Sequence, residues 1–129
     1  MRIEQAAPVL LVSDMERTVA WFGDALGWEC QLHGEPANFG IASRDGARIM
    51  FALCGTPQAI VPNWRIVDSI WNVYIRVDDV DAAYAEILER GTAIDYTLCD
   101  QPWGMREFGV QDPDGHDIAF GQPLAAPTP

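Results

Sequence analysis

Hydrophobic and polar residues follow the same order twice along this chain. A short apolar run ends at Asp14, a stripe of apolar residues with helical spacing follows, and Gly27 comes directly after it. The order repeats at Asp79, 65 positions after Asp14, and closes at Gly91. An aspartate can accept hydrogen bonds from the first helical turn, and glycine suits the left-handed conformation that ends a helix. The pattern predicts two strand and helix pairs.

Three short alternating runs come after each predicted helix. They lie at about residues 29–34, 38–43 and 47–54 in the first half, and at about 93–98, 105–111 and 117–121 in the second. Asp45-Gly46 is typical of a two-residue hairpin, and the segment Asp112-Pro-Asp-Gly115 is typical of a tight turn. The sequence therefore predicts an α+β fold built from two βαβββ modules, with the internal repeat at about residues 7–54 and 72–121.

Length and composition indicate one globular domain. The chain has 129 residues, 49% of them hydrophobic, which is enough to bury a core without disulfides or a structural metal. We expect a single domain over residues 1–125. The last residues, 122–129, are rich in proline, and we expect a flexible tail there.

The net charge of the chain indicates which classes of binding partner are disfavoured. Eight Lys and Arg against nineteen Asp and Glu leave a formal net charge of -11, which disfavours nucleic acid and anionic membranes and favours cations. The three cysteines form no C-x-x-C pair, and from the residues given we expect neither a secretory signal nor a membrane span. We therefore expect a cytoplasmic protein.

The phase of the strands divides each sheet into two faces. Large apolar residues such as Ile49, Phe51 and Leu53 are expected to face the helices. The alternate positions carry a mixture of apolar, aromatic and polar side chains: Met50, Ala52, Asn72, Tyr74, Met105, Glu107, Asp117 and Ala119. Such a surface suits a ligand cavity, and contact with a partner subunit is the alternative interpretation.

Several motifs resemble one known family. They are Pro8-Val-Leu, Val61-Pro62, Gln101-Pro-Trp-Gly104, Arg106-Glu-Phe108 and the Asp112–Gly115 turn. From Pro8 to Phe120 the chain resembles the vicinal oxygen chelate superfamily of glyoxalases, extradiol dioxygenases and bleomycin resistance proteins, and most closely the bleomycin resistance branch. The resemblance implies cupped, mostly antiparallel sheets with helices on the outer face.

The same resemblance argues against a metal-dependent enzyme. Enzymes of the superfamily place four His or Glu metal ligands on the cupped sheet, and the matching positions here are Ala7, Met50, Asn72 and Ala119. None of these suits the divalent ions that such enzymes use. The only histidines, His33 and His116, are expected to be exposed. We therefore expect no metal, no cofactor and no catalytic residues.

The resemblance also implies how a ligand would be held. In the resistance proteins, aromatic side chains sandwich a planar part of the drug in an acidic groove at a dimer interface, and Phe39 and Trp103 match those aromatic positions. Glu35, Asp100 and Glu107 are the carboxylates expected at the rim. The resemblance further implies a homodimer that exchanges its N-terminal strand, with Pro8 near the crossover. The predicted ligand-binding residues are Phe39, Met50, Asn72, Tyr74, Trp103, Met105 and Glu107.

The resulting hypothesis is a non-enzymatic protein that sequesters a planar, cationic antibiotic of the bleomycin type. One alternative is an enzyme of the same superfamily that acts on a small aromatic or carbonyl substrate without the usual metal. Another is a sensor or immunity protein with the same cavity and a different natural product as its ligand.

Overall fold

The computed structural model describes residues 1–125. Its elements are β1 (Val9–Val12), α1 (Met15–Leu26), β2 (Glu29–His33), β3 (Phe39–Arg44), β4 (Ala47–Leu53), β5 (Val73–Arg76), α2 (Val80–Glu89), β6 (Tyr96–Asp100), β7 (Met105–Gln111) and β8 (Asp117–Pro123). Two short 3-10 turns, Pro57–Ala59 and Asn63–Arg65, lie in the connection between β4 and β5. No helix of the described chain has the length and apolar character needed to cross a membrane.

The helices begin where the sequence predicts. Asp14 accepts a hydrogen bond from the backbone N–H of Arg17 at 3.0 Å, and Asp79 accepts one from Ala82 at 3.0 Å. Gly27 caps the end of α1 in the left-handed conformation, with φ 73°. These contacts satisfy backbone groups that a helix leaves open at its ends.

Each half of the chain forms one four-stranded sheet with the same topology. The strand order is β1-β4-β3-β2 in the first sheet and β5-β8-β7-β6 in the second. Within each sheet the first strand pairs with the fourth in parallel, and the other pairs are antiparallel. The predicted α+β fold of two βαβββ modules is therefore confirmed.

The strand boundaries differ from the prediction in the second module. The strand expected at about 93–98 is β6, which begins at Tyr96; before it, the Thr92 hydroxyl donates to the Ala25 carbonyl at the end of α1. At the other end, β8 continues through Gln122 and Pro123, inside the segment predicted as a tail. The remaining part of that prediction, residues 126–129, lies outside the described residues.

One apolar core lies on the helix side of both sheets. Phe22 stacks on Phe51 in the first module, with ring centroids 5.7 Å apart, and Phe108 stacks on Phe120 in the second at 5.1 Å. Ile49 and Phe51 are buried as predicted. Leu53 was expected beside them and is 42% exposed, because it is the last residue of its strand.

Hydrogen bonds and an ion pair join the two modules on this side. Both Nη atoms of Arg44 contact the carboxylate of Glu86 on α2, at 2.7 and 2.8 Å, and one of them also donates to the Leu26 carbonyl at 2.9 Å. Arg90 adds a contact to the same carboxylate at 2.9 Å. The hydrogen bond from Arg44 is the main cause that lowers the pKa of Glu86 to about 2.

We predict that Glu86→Gln lowers the free energy of unfolding by about 0.5–1 kcal/mol at neutral pH, because the pair is partly exposed and screened by water. A lowered pKa means that this stabilisation is complete above the ordinary value of 4.5 and is lost as the pH falls toward about 2. Urea unfolding of both proteins at several pH values measures the difference.

Glu89→Gln is the matched control, since Glu89 is exposed at the end of the same helix. An equal loss in the control, or a difference between wild type and Glu86→Gln that persists at pH 2, would contradict the role given to the ion pair.

Candidate functional site

The face of the second sheet that points away from the core carries two rows of side chains. Cross-strand pairing puts Tyr74, Ala119, Gly109 and Tyr96 in one row, and Arg76, Gly121, Glu107 and Cys99 in the next. The absence of a Cβ at Gly109 and Gly121 leaves room on this face for neighbouring side chains. A Cβ on Gly121 would overlap the Tyr74 hydroxyl, and a Cβ on Gly109 would overlap the Tyr96 ring. The glycines therefore let both tyrosines lie flat across the sheet.

Four aromatic side chains meet at this face, and we call them the aromatic cluster: Trp71, Tyr74, Tyr96 and Trp103. Trp71 is central to the cluster. Its ring packs edge-on against Tyr74 at a centroid distance of 4.7 Å and against Trp103 at 6.3 Å, and its indole N–H donates to the Tyr96 hydroxyl at 3.0 Å. Trp103 is 57% exposed, so one large ring remains open to a ligand.

Carboxyl groups without hydrogen-bonding partners lie beside the aromatic cluster. Glu107 is 0% exposed, and neither of its side-chain oxygens has a partner among the described residues. The same holds for Oδ1 of Asp117 and for the Tyr74 hydroxyl. Most buried polar side-chain atoms in native proteins are hydrogen-bonded, so this concentration of unpaired atoms marks the face as unusual.

Burial and nearby carboxyl groups raise the pKa values of three side chains at this face. Burial, and then the contact of its hydroxyl with the Glu107 carboxyl group, raise the pKa of Tyr74; burial and the nearby Glu107 carboxyl group raise the pKa of Tyr96. Burial first, and then the Asp95 carboxyl, raise the pKa of Asp117 to about 7. The face is thus a compact set of aromatic rings and carboxyl groups in which negative charge is poorly compensated.

A second concavity lies on the helix side, where the modules meet. It is a cleft of about 500 Å³ with an apolar wall that includes Trp28, Ile75 and Phe120. Arg44 and Glu86 line it as well, and they are already paired with each other. The sheet face with the aromatic cluster is the stronger candidate for a binding site, because its polar groups still lack partners.

Comparison with known proteins decides the family. Residues 2–120 match the Glyoxalase/Bleomycin resistance protein/Dioxygenase superfamily. The chain belongs to this superfamily. The resemblance predicted from the sequence motifs is therefore confirmed.

Solved structures of the superfamily share the fold over almost the whole chain. A glyoxalase-related enzyme from Clostridium phytofermentans superimposes with a TM-score of 0.76 at 19% identity, covering 96% of this chain and 98% of that one. The antibiotic binding protein TnmS3 from Streptomyces sp. CB03234 gives 0.69 at 28% identity, covering 95% and 98%. A bleomycin-binding protein complexed with bleomycin gives 0.70 at 22% identity, covering 96% and 100%.

The match to curated relatives is shorter. The Mycobacterium bovis protein Mb0911c is 40% identical over 52 residues, which are 40% of this chain and 34% of that protein. The Mycobacterium tuberculosis protein Rv0887c matches to the same extent and over 31% of its length. The aligned segment thus spans about a third of the curated relatives.

The metal site of the superfamily's enzymes does not fit the residues of this chain. Alanine at positions 7 and 119 offers no donor atom, and Met50 offers only a soft sulfur. The side-chain oxygen of Asn72 already accepts a hydrogen bond from the backbone N–H of Asn63 at 3.0 Å. Within residues 1–125, no group of three His, Cys, Asp or Glu side chains is arranged to hold a metal ion.

The structure divides the predicted ligand-binding residues between the two sheets. Tyr74, Glu107 and Met105 lie on the second sheet and Asn72 directly before it, while Trp103 is in the loop before β7. Phe39 and Met50 lie on the first sheet, on its outward face. The Phe39 ring tilts against His33 at 6.1 Å, and the Trp103 ring packs on Trp71, so the proposed sandwich does not form within one chain.

Three residues of this sheet face were missing from the predicted ligand-binding set: Trp71, Tyr96 and Asp117. Trp71 precedes its strand, and Tyr96 begins one, so neither position showed which way its side chain points. Gly109 in β7 is the signal that could have located Tyr96, because a glycine inside a strand often marks a place where another group approaches closely.

Two predictions about charged groups are corrected. His116 was expected at the surface and is 3% exposed, because the tight turn folds its ring onto Asp112, with Nδ1 and Oδ2 2.8 Å apart. Glu107 was expected as a rim carboxylate and is fully buried, because β7 turns its side chain under the aromatic cluster. Asp100, another expected rim carboxylate, is exposed and contacts the Arg106 guanidinium at 2.9 Å. Glu35 is exposed, as a rim residue would be.

We predict that Asp117→Asn stabilises the protein above pH 7. The pKa of Asp117 rises from 3.8 to about 7 on folding, so ionising this group costs folding free energy as the pH increases through that interval. Removing the charge should add about 1–3 kcal/mol to the free energy of unfolding at pH 8 and close to nothing below pH 4. Urea unfolding across this range provides the measurement, and Asp68→Asn, at an exposed loop position, is the control. A less stable Asp117→Asn variant at pH 8 would refute the interpretation.

Proposed function

We propose that this chain sequesters a planar, cationic small molecule, of which bleomycin-type antibiotics are the best candidates, and that it does so without changing the ligand chemically. The observation that carries the proposal is the aromatic cluster, with one exposed tryptophan ring beside buried carboxyl groups that lack partners. Flat rings stack on flat ligands, and carboxylates attract cations. The net charge of -11 favours capture of a cation at long range.

Solved structures of similar proteins also support this proposal. TnmS3, at 28% identity, is an antibiotic binding protein, and bleomycin-binding proteins share the fold. The unsuitable residues at the four metal positions favour binding over metal-dependent catalysis.

A second copy of the chain would complete the groove. Phe39 and Met50 stand on the outward face of the first sheet, where Val9 and Leu11 are 54% and 45% exposed. A strand face with this many open apolar side chains is typical of an interaction surface. We propose that the outward face of the first sheet in one subunit packs opposite the aromatic cluster of its partner, so that a homodimer holds two equivalent grooves.

The expected test is a titration of chelator-treated protein with metal-free bleomycin, followed by tryptophan fluorescence and calorimetry. We predict that Trp103→Ala weakens binding at least tenfold, because the exposed ring is lost, while the protein still unfolds cooperatively. Trp103→Phe keeps a smaller ring and should retain part of the affinity. Equal affinities of wild type and Trp103→Ala would remove the stacking role.

The dimer is tested separately. We predict that Leu11→Glu converts a dimer of the wild-type chain into a monomer, because it places a charge on the outward face of the first sheet. Light scattering after size exclusion measures the mass. Leu88→Glu, at an equally exposed position on α2, is the matched control and should leave the mass unchanged. A monomeric wild type, or a dimer that survives Leu11→Glu, would contradict the proposed interface.

The alternative function is a metal-independent enzyme acting on a small aromatic or carbonyl substrate. The observation in its favour is the proximity of Glu107 to the Tyr74 hydroxyl, since such a pair could move a proton. Turnover of a bound ligand, detected as a new product by mass spectrometry, would favour this alternative over sequestration.

A further inference from the structure

Glu107 buries two oxygens without a hydrogen-bonding partner, and a bound group that supplied one would offset the cost in free energy. Leaving one buried donor or acceptor unsatisfied costs about 1–3 kcal/mol, and more when the group is charged. Glu107 contributes two such oxygens and Asp117 a third, all at the outward face of the second sheet. A protein that retains this cost at two positions of one sheet face gains something from it when the missing partner binds.

Within residues 1–125, no arginine or other cationic side chain pairs with Glu107. Arg76 is the cation nearest in the same row, and Gly121 separates it from Glu107. The Tyr74 hydroxyl lies over that glycine, and Arg76 forms no ion pair within residues 1–125. The other arginine on β7, Arg106, already contacts Asp81 and Asp100.

We propose that Glu107 is the anchoring group for an organic cation that carries N–H donors, an amidinium or a primary ammonium, and that this cation enters among the rings of the aromatic cluster. This inference rests on the proposed function and names the chemical group of the ligand that the site recognises. An amidinium supplies both the charge and two parallel hydrogen bonds that a carboxylate can accept. A quaternary ammonium supplies charge alone, and a neutral amide supplies donors alone.

Access to Glu107 requires a movement of Tyr74. The carboxyl group is fully covered, so no ligand reaches it while the Tyr74 ring lies over Gly121. An incoming N–H donor would take the place of the Tyr74 hydroxyl beside the Glu107 carboxyl group, and the ring can lie over position 121 only because that residue has no Cβ. The side chain can therefore act as a cover over the carboxyl group without movement of the sheet. Trp71, which packs on Tyr74 at 4.7 Å, is placed to report that movement by fluorescence.

Three small probes separate the contributions of charge and hydrogen bonding. Benzamidine offers a flat ring, a positive charge and N–H donors; benzyltrimethylammonium offers the ring and the charge; benzamide offers the ring and the donors. We expect the protein to bind benzamidine at least tenfold more tightly than either of the others, as measured by calorimetry and tryptophan fluorescence. Equal affinities for benzamidine and benzyltrimethylammonium would overturn the proposal, because ring contacts alone would then explain binding.

Glu107→Gln tests the anchor directly. The variant should lose the preference for benzamidine, and its melting temperature should equal or exceed that of the wild type, because it no longer buries an uncompensated carboxylate. A purely structural role for Glu107 would instead lower the melting temperature and leave the preference in place, and that result would overturn the proposal. Glu89→Gln removes the same charge from an exposed position and serves as the control.

Arg76→Gln tests whether Arg76 is itself the natural partner of Glu107. If Arg76 were the natural partner of Glu107, the variant would be less stable and would bind benzamidine more tightly, and the proposal of an external anchor would fail. We expect no loss of stability and at most a twofold change in affinity.

Two results would separate the anchoring role of Glu107 from the proposed binding of a bleomycin-type antibiotic. Benzamidine binding that depends on Glu107, together with no binding of bleomycin, would retain the anchor and remove the antibiotic. Bleomycin binding that is unchanged in Glu107→Gln would retain the proposed function and remove the anchor.

Discussion

Each sheet of this chain has one helix, so each can bury only one of its two faces. The shared core takes the helix-side residues of both sheets, and the stacked pairs Phe22–Phe51 and Phe108–Phe120 fill it. The opposite faces are left to water, to a ligand or to another subunit. This constraint explains where the candidate site lies. Aromatic and carboxyl side chains can gather on an open sheet face without weakening the core.

The second sheet accommodates these side chains at a cost to stability. Gly109 and Gly121 forgo side-chain packing so that two tyrosine rings can lie across the strands. Both oxygens of the Glu107 side chain and Oδ1 of Asp117 are buried without a hydrogen-bonding partner among the described residues. Sites built for function are often locally unfavourable in this way, and the rest of the fold compensates through ordinary features such as helix caps and the Arg44–Glu86 pair.

The superfamily to which the chain belongs is named for glyoxalases and dioxygenases as well as for bleomycin resistance proteins. The chain lacks suitable donor atoms at the positions that the sequence resemblance assigns to a metal. Ala119 cannot ligate a metal, and the oxygen of Asn72 is already engaged by Asn63. The same sheet face instead presents rings and unpaired carboxyl groups. In the function that we propose, affinity replaces catalysis, because stacking and charge pairing need only a fixed surface and no reacting group.

The sequence by itself determined the local structure and the family. Asp14, Asp79 and Gly27 bound the helices through contacts within a few residues, and the alternation of β4 and β8 assigned most core positions, so nearby chemistry was sufficient. Tertiary structure alone decided which side chains meet. His116 is buried against Asp112 by the shape of one turn, and Trp71 bonds to Tyr96 across 25 positions of chain. It also decided that Glu107 is covered and unpaired, because burial and the absence of a partner depend on the packing of several strands at once, and no spacing along the chain records that packing.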